Sequence, residues 1–419
     1  MTTTHSSSET QTHQAIRCSA AASTASSLHE AISTAYQEAL IDLGDDSPDL
    51  VVVFISAAYG EEIRPAMESL NELAPSRYLL GTTAEAVLAN NDEYESEPAI
   101  SIWMAKLPNA EIIPLTLEYS QTADGGTFLG WPDDLVWPKE ATMLLLADPF
   151  SFPVDGLIAR LEEDHPGLPI IGGMASGGDQ PGANTLVING ETYESGAVGI
   201  ILGGGVRVRP VVSQGCRPIG TPLVVTKAED NMLVELGGRP AFVQLRAIYE
   251  TLDDHDKQLV KNSLHVGRVA SEYQDHFEAG DFLVRNVVGA DPETGVVAVG
   301  DLIRTGQTVQ FHVRDAHTAH EDLQTLLTRQ TQKRPAGAII FTCNGRGRRL
   351  FSTPSHDAAC LQQLLGPLPV AGFFAQGEIG PIGRTNCLHG FTASIALFEA
   401  AEYLTKRLGK GLALKQAES

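Results

Sequence analysis

GAIIFTCNGRGRRLFSTPSHDAACLQQLLGPLPVAGFFAQGEIGPIGR, Gly337 to Arg384, sets out the unit from which this chain is built. Two short apolar runs, Ala338 to Phe341 and Leu368 to Ala371, each empty into a glycine-rich loop, as buried strands do. Between them Ser355 stands where it would cap a helix. Ala358, Leu361, Leu364 and Leu365 make that helix's apolar face, and Gly366 stops it. The unit reads strand, loop, helix, strand, loop. With the strands side by side, both loops open at one sheet edge, where α/β proteins place their sites.

The same unit occurs three times. LVVVFISAAYGEE from Leu50 with RYLLGTTAEAV from Arg77 is one copy, and TMLLLADPFSFP from Thr142 with LPIIGGMASGG from Leu168 is another. A glycine closes the second strand of each, at Gly81, Gly172 and Gly372. A further apolar run follows each copy, from Ala99, Ala197 and Gly390. The shared glycine favours a duplicated supersecondary unit over ordinary α/β alternation.

Around the copies, Ile16 to Ala20 reads as an edge strand. Leu28 to Leu43 reads as an amphipathic helix capped by Ser26 or Ser27 and ended by Gly44. Asp124 to Lys139, rich in Gly and Pro, is a break. VRVRPVVS from Val206 and TPLVVT from Thr221 alternate as antiparallel strands do, around a loop at Gln214 to Gly220. Pro240 to Leu259 reads as one bridging helix, and Phe282 to Asp315 as an antiparallel meander. The expected fold class is mixed α/β (α+β), with repeated units in mixed sheets and two domains, 16–240 and 241–400. Residues 1–15 are expected as a disordered tail and 401–419 as a Lys-bearing C-terminal tail.

The 419 residues suffice for a large core. Fifty-two acidic against 29 basic side chains give a net charge of -23, which argues against nucleic acid or an anionic membrane as partner. Five scattered cysteines without a CxxC argue against a disulfide framework and for a reducing cytoplasm. No apolar run is long enough for a bilayer span.

Cys343-Asn344-Gly345-Arg346-Gly347 is the leading candidate site. Glycines flanking an arginine let successive N–H groups converge as an anion-binding nest, and Arg346 and Arg348 add charge. The alternative is a tight turn with solvated arginines. In the second loop Phe373, Phe374, Gly377 and Glu378 suggest apolar walls with one acceptor, although either phenylalanine is also ordinary core. If Arg346 and Glu378 face one another across a hollow, the ends suit a zwitterion such as an amino acid. Arginines beside Cys343 would lower its pKa, which leaves open a reactive thiol as well as an inert one. His317 and His320 with Glu321 and Asp322 suggest a metal only weakly, and no metal or cofactor is expected. Walker, GxSxG, HExxH and GxGxxG motifs are absent, so no catalytic residue is assigned.

CNGRGRRLF, GFFAQGEIGP and LHGFTASIALF resemble the FIST C-domain. IIGGMASGG, YESGAVGIIL, QGCRPIG and LVVVFISAAYG resemble the FIST N-domain, and the likeness runs from about Ile16 to Phe398. FIST stands for F-box and intracellular signal transduction. The resemblance implies a sensory module for small ligands such as amino acids, and it carries over no catalytic residue. Relatives often bear a kinase, cyclase or F-box output. Here the flanks are too short for one, so signalling is expected to pass through a partner protein. The alternative is an enzyme of unknown reaction using Cys343 or a loop carboxylate.

Overall fold

The structure, a computed structural model, describes residues 15–122, 125–270, 272, 277 and 279–401. Most of the two expected tails, and Asp124, lie outside the described residues.

The fold is mixed α/β, and each copy has the same three-stranded centre. In the first, Leu50–Ser56 runs parallel to Tyr78–Ala84 and antiparallel to Ile100–Lys106. In the second, Thr142–Ala147 lies between Ile170–Met174 and Ala197–Gly204 in the same senses. In the third, Gly337–Cys343 lies between Val370–Ala375 and Ala393–Ala400. An outer antiparallel strand completes each side: Arg17–Ser23, Ala110–Thr122 and Val206–Ser213.

The repeated glycine has one physical cause in all three copies. Gly81, Gly172 and Gly372 sit in register with Val53, Leu145 and Ile340, and a Cβ there would lie 2.5, 1.8 and 2.1 Å from the partner's carbonyl oxygen. Only a hydrogen fits so close an approach.

Each copy passes a hairpin to a neighbour. The first copy's Val87–Ala89 pairs with the third copy's Val370–Ala375, and Asp92–Tyr94 pairs in turn with Val87–Ala89. The second copy's Leu186–Ile188 and Glu191–Tyr193 join the first copy's Tyr78–Ala84. The third copy's Glu378–Ile382 and Thr385–His389 join the second copy's Ile170–Met174. The exchange closes a ring of three sheets. Where the second parallel strands end, Ser176 Oγ accepts from Glu85 N at 3.0 Å and donates to Phe374 O, joining all three copies.

The inner faces share one core. Phe54, Phe341 and Phe373 meet there, with Phe373 centroids 5.0 and 5.7 Å from the other two, and Leu144, Leu146 and Ile171 supply the second copy's share. Burying each phenylalanine contributes ~1.5–3 kcal/mol. Helices cover the outer faces, among them Leu28–Leu43, Val154–Asp164, Ala316–Thr328 and His356–Leu365. A separate antiparallel sheet formed by residues between 216 and 314 is inserted in the third copy.

Four local expectations need correction. The helix expected over Pro240 to Leu259 is two, Ala241–Thr251 and Asp254–Ser263, because Leu252 is extended and Asp253 caps the second through Asp256 N at 2.8 Å. Val206–Ser213 and the strand after it form no hairpin. They lie in different sheets, and Cys216–Gly220, expected as loop, opens a 14-residue strand. Ser355, at φ 57°, makes no cap bond to its own helix; Glu93 Oε1 instead accepts from Asp357 N and Ala358 N at 2.9 and 3.0 Å. Ser27 likewise stands at its N-cap without a side-chain bond, and Glu62 accepts from Leu28 N.

Candidate functional site

The turn after Gly337–Cys343 is built on glycine. Gly347 has φ 55°, and a Cβ there would lie 2.4 Å from Glu95 Oε2. That close approach lets Glu95 Oε2 accept from Arg348 N at 2.9 Å. Arg349 reaches Glu85 with both terminal nitrogens and donates to Asn344 O at 2.7 Å. The third copy's first loop is thus seated on carboxylates of the first copy.

Arg346 turns inward and is fully buried. Its Nε and Nη2 hold Asp357 Oδ2 and Oδ1 at 2.7 and 2.8 Å, a bidentate pair. Thr342 Oγ1 donates to the same carboxylate at 2.6 Å, and His356 Nδ1 lies 2.9 Å from it. His356 Nε2 is in turn 2.9 Å from His320 Nδ1, so a chain of polar groups runs outward from the guanidinium. Phe351 stacks on His356 at 3.4 Å, and the Arg346 guanidinium lies 5.2 Å from the same ring. Burial pushes the Asp357 carboxyl up, but Arg346 and His356 outweigh it and hold it well below the usual range. Burial and the nearby Asp357 push Glu93 up to about 8.

Glu378 is fully buried, close to Cys343 and Arg346. Its Oε2 accepts from Thr392 N and Oγ1 at 3.0 and 2.8 Å. Burial pushes it up to about 8, against the pull of Thr392, Arg346 and the Cys343 thiol. The expectation that arginines would lower the Cys343 pKa is overturned: burial, and then Glu378, raise it to about 12, despite N–H groups of Gly345 and Phe391 and the charge of Arg314. Cys216 rises to about 12 by burial as well.

The expected residues therefore divide. Cys343, Asn344, Gly345, Arg346 and Glu378 come together. Arg348 is exposed against Glu95. Phe373 belongs to the shared core, and Phe374 to the opposite face with Leu361 and Leu365. Gly377 accepts from Met174 N through its carbonyl at 2.8 Å and stands at the second copy's border. Arg346 and Glu378, read in sequence as the two ends of an open hollow, have no exposed surface. His317 pairs with Glu321, and among the described residues no group of three or more His, Cys, Asp or Glu is placed to hold a metal.

Several buried polar atoms around this turn make no hydrogen bond: Arg346 Nη1, Glu378 Oε1, and Nε and Nη2 of Arg314. Arg314 approaches Gly345, where a Cβ would lie 3.3 Å from its guanidinium, and it faces the Phe391 ring at 5.5 Å. Phe391 itself has φ 67°, a strained backbone for a bulky residue. Sequence reading missed Asp357, Arg314, Glu93, Thr392 and Phe391. Asp357 alone left a signal, an acid in the first helical turn beside the arginine loop.

The FIST N domain matches residues 49–239 and the FIST C domain residues 244–381, and the chain belongs to this family. FIST domains are generally sensory domains of signal transduction. The chain is 41% identical over 360 residues to the uncharacterized protein Mb0898c of Mycobacterium bovis, covering 85% of this chain and 92% of that one. It is 40% identical over 386 residues to the uncharacterized protein Rv0628c of Mycobacterium tuberculosis, covering 91% and 100%. Among the described residues no helix is long and apolar enough to cross a membrane.

Proposed function

We propose that this chain is a cytoplasmic sensory module that binds a small zwitterion of the amino-acid class at the Cys343–Glu378 turn and passes the signal to a partner protein. The observation that carries the reading is the set of unsatisfied buried groups around one turn, cationic N–H on Arg346 and Arg314 and a carboxyl oxygen on Glu378. Each such group costs ~1–3 kcal/mol while unpaired. A ligand carboxylate satisfies the arginines and its ammonium satisfies Glu378, with Asn344, Gly345 and the buried thiol of Cys343 lining the contact. Buried polar atoms without a partner are uncommon enough to need a cause, and a transient occupant is one.

Entry requires the 344–351 turn to lift. Its surface ties to Glu85 and Glu95 are exposed ion pairs worth ~0–1 kcal/mol each, while the Arg346–Asp357 pair anchors one end. A thermal-shift screen of amino acids tests the reading, since ligand raises stability as RT ln(1 + [L]/Kd). We expect at least one amino acid to raise the Tm of wild type, with affinity at least tenfold weaker in Glu378→Gln and in Arg314→Met. No shift with any amino acid overturns it. The Cys343 pKa of about 12 favours binding over thiol catalysis.

A further inference from the structure

The three copies differ in what covers their outer faces. In the first, the helix Leu28–Leu43 lies on Arg17–Ser23 and Ile100–Lys106 and meets Leu70–Leu73, part of the segment that crosses between the parallel strands. In the third, Ala316–Thr328 lies on Val206–Ser213 and meets the crossing helix His356–Leu365. In the second, among the described residues, no helix stands between Ala110–Thr122 and Thr142–Ala147; the interval holds the strand Gly125–Leu129 and irregular chain after it. A groove of about 1070 Å³ lies there, bounded on one side by the crossing helix Val154–Asp164.

The floor of the groove is aromatic. The Tyr119 and Phe128 rings are 5.3 Å apart, those of Trp131 and Trp137 6.4 Å, and Trp137 lies 4.4 Å from His165. Trp131, Leu135 and Trp137 pack on the apolar cluster of the sheet face yet stay half-buried, and their chain neighbours Leu129 and Val136 are 49% and 76% exposed. Large aromatic side chains at a surface are where protein interfaces concentrate their binding energy. The walls also carry three carboxylates, Asp133, Glu163 and Asp164, against one cation, Arg160, which Asp164 already holds at 2.7 Å.

We infer that this groove seats an amphipathic helix of a partner protein, its apolar stripe bordered by Lys or Arg. The seat defines the shape, because the other two copies fill the corresponding interval with a helix that touches both the sheet and the crossing segment. The crossing helix forms one flank and the Trp131–Trp137 segment the other, a trough for side chains at i, i+3, i+4 and i+7 of one helical face. The rim defines the charge, since its surplus of carboxylate attracts a basic border and repels an acidic one. Leu28–Leu43 carries Glu30, Glu38 and Asp42, and Ala316–Thr328 carries Glu321 and Asp322, with no Lys or Arg in either. Exchange of a covering helix between two copies of this chain would therefore set like charge against the rim, which selects a different protein as the occupant. The inference does not rest on ligand binding at the Cys343–Glu378 turn, and its test contains no amino acid.

Of the three tryptophans, Trp103 is fully buried, so changes in emission report Trp131 and Trp137. The probe is a tryptophan-free synthetic peptide of about 16 residues, with Leu at the spacing of one helical face and Lys over the rest. One control peptide has the same composition in scrambled order, and another has Glu in place of Lys. Added to the full chain, the first peptide is expected to shift emission saturably to the blue and to lower acrylamide quenching about twofold, with both controls at least tenfold weaker. The scrambled peptide has the same charge, so preference over it separates docking from general attraction to a chain of net charge -23. Asp133→Lys with Glu163→Lys, two exposed positions, should weaken the Lys peptide at least tenfold and let the Glu peptide bind. No saturable shift, equal affinity for ordered and scrambled peptides, or an unchanged preference in the double variant overturns the proposal. So does a wild type that is dimeric by light scattering while the double variant is monomeric, because a second copy then fills the groove.

Discussion

Arg346 and Asp357 form an ion pair with no exposed surface on either side chain. Removing one partner of such a pair leaves the other charge uncompensated, at a cost of ~3–5 kcal/mol. Asp357→Asn should therefore lower unfolding free energy by about that much in chemical denaturation. Arg348→Ala, at the exposed end of the same turn, should stay within ~0.5 kcal/mol; equal losses would refute the assignment. Glu378 gives a pH signature. Its folded pKa of about 8 lies above the ordinary 4.5 of a glutamate, so its contribution is fully present below pH 4.5 and is lost as pH rises through 8. Glu378→Gln removes that titration, and its Tm relative to wild type should climb from pH 5 to pH 9. The buried histidines His265, His312 and His389, lowered to about 4, act in the opposite sense. They are common to both proteins and cancel in the difference; a flat difference would contradict the buried carboxyl. Arg346 and Glu378 could be picked from the sequence because charge among glycines is conspicuous. Their partners could not, since nothing local distinguishes an arginine that meets solvent from one that meets Asp357.

At the level of elements, the glycine of each second strand was legible, and so was its use in all three copies, although it stands inside Tyr78–Ala84, Ile170–Met174 and Val370–Ala375 and does not close them. Its cause, a carbonyl within 2.5 Å of the missing Cβ, belongs to the parallel pairing. Gly172→Ala forces that carbonyl aside and should cost ~2–3 kcal/mol or more. Gly289→Ala, where nothing lies within 4 Å and no positive φ intervenes, should change stability by less than ~0.5 kcal/mol. Similar losses at both sites would remove the close-approach explanation. The exchanged hairpins were not legible. Val87–Ala89 and Leu186–Ile188 are three residues each, too short to show a period, and their partners are far away in sequence. Helix caps escaped for the same reason, since Glu93 and Glu62 arrive from other segments.

At the scale of the whole molecule, strands from both sides of residue 240 share sheets: Val370–Ala375 completes its sheet with Val87–Ala89, and Ile170–Met174 with Glu378–Ile382. Fragments 16–240 and 241–400 expressed alone would each present unpaired strand edges. Neither should show a cooperative thermal transition, and mixing them should restore one. A fragment that melts sharply by itself would show that the exchange is dispensable.

The ring of passed hairpins also bears on how the protein yields to a protease. A single cut in the turn at Asn90–Asn91, or at Asn189–Gly190, separates no piece, because the two strands that flank each break pair with one another in a neighbouring copy's sheet. A nicked molecule should keep the size and shape of the intact one, and come apart only when the weave itself is melted.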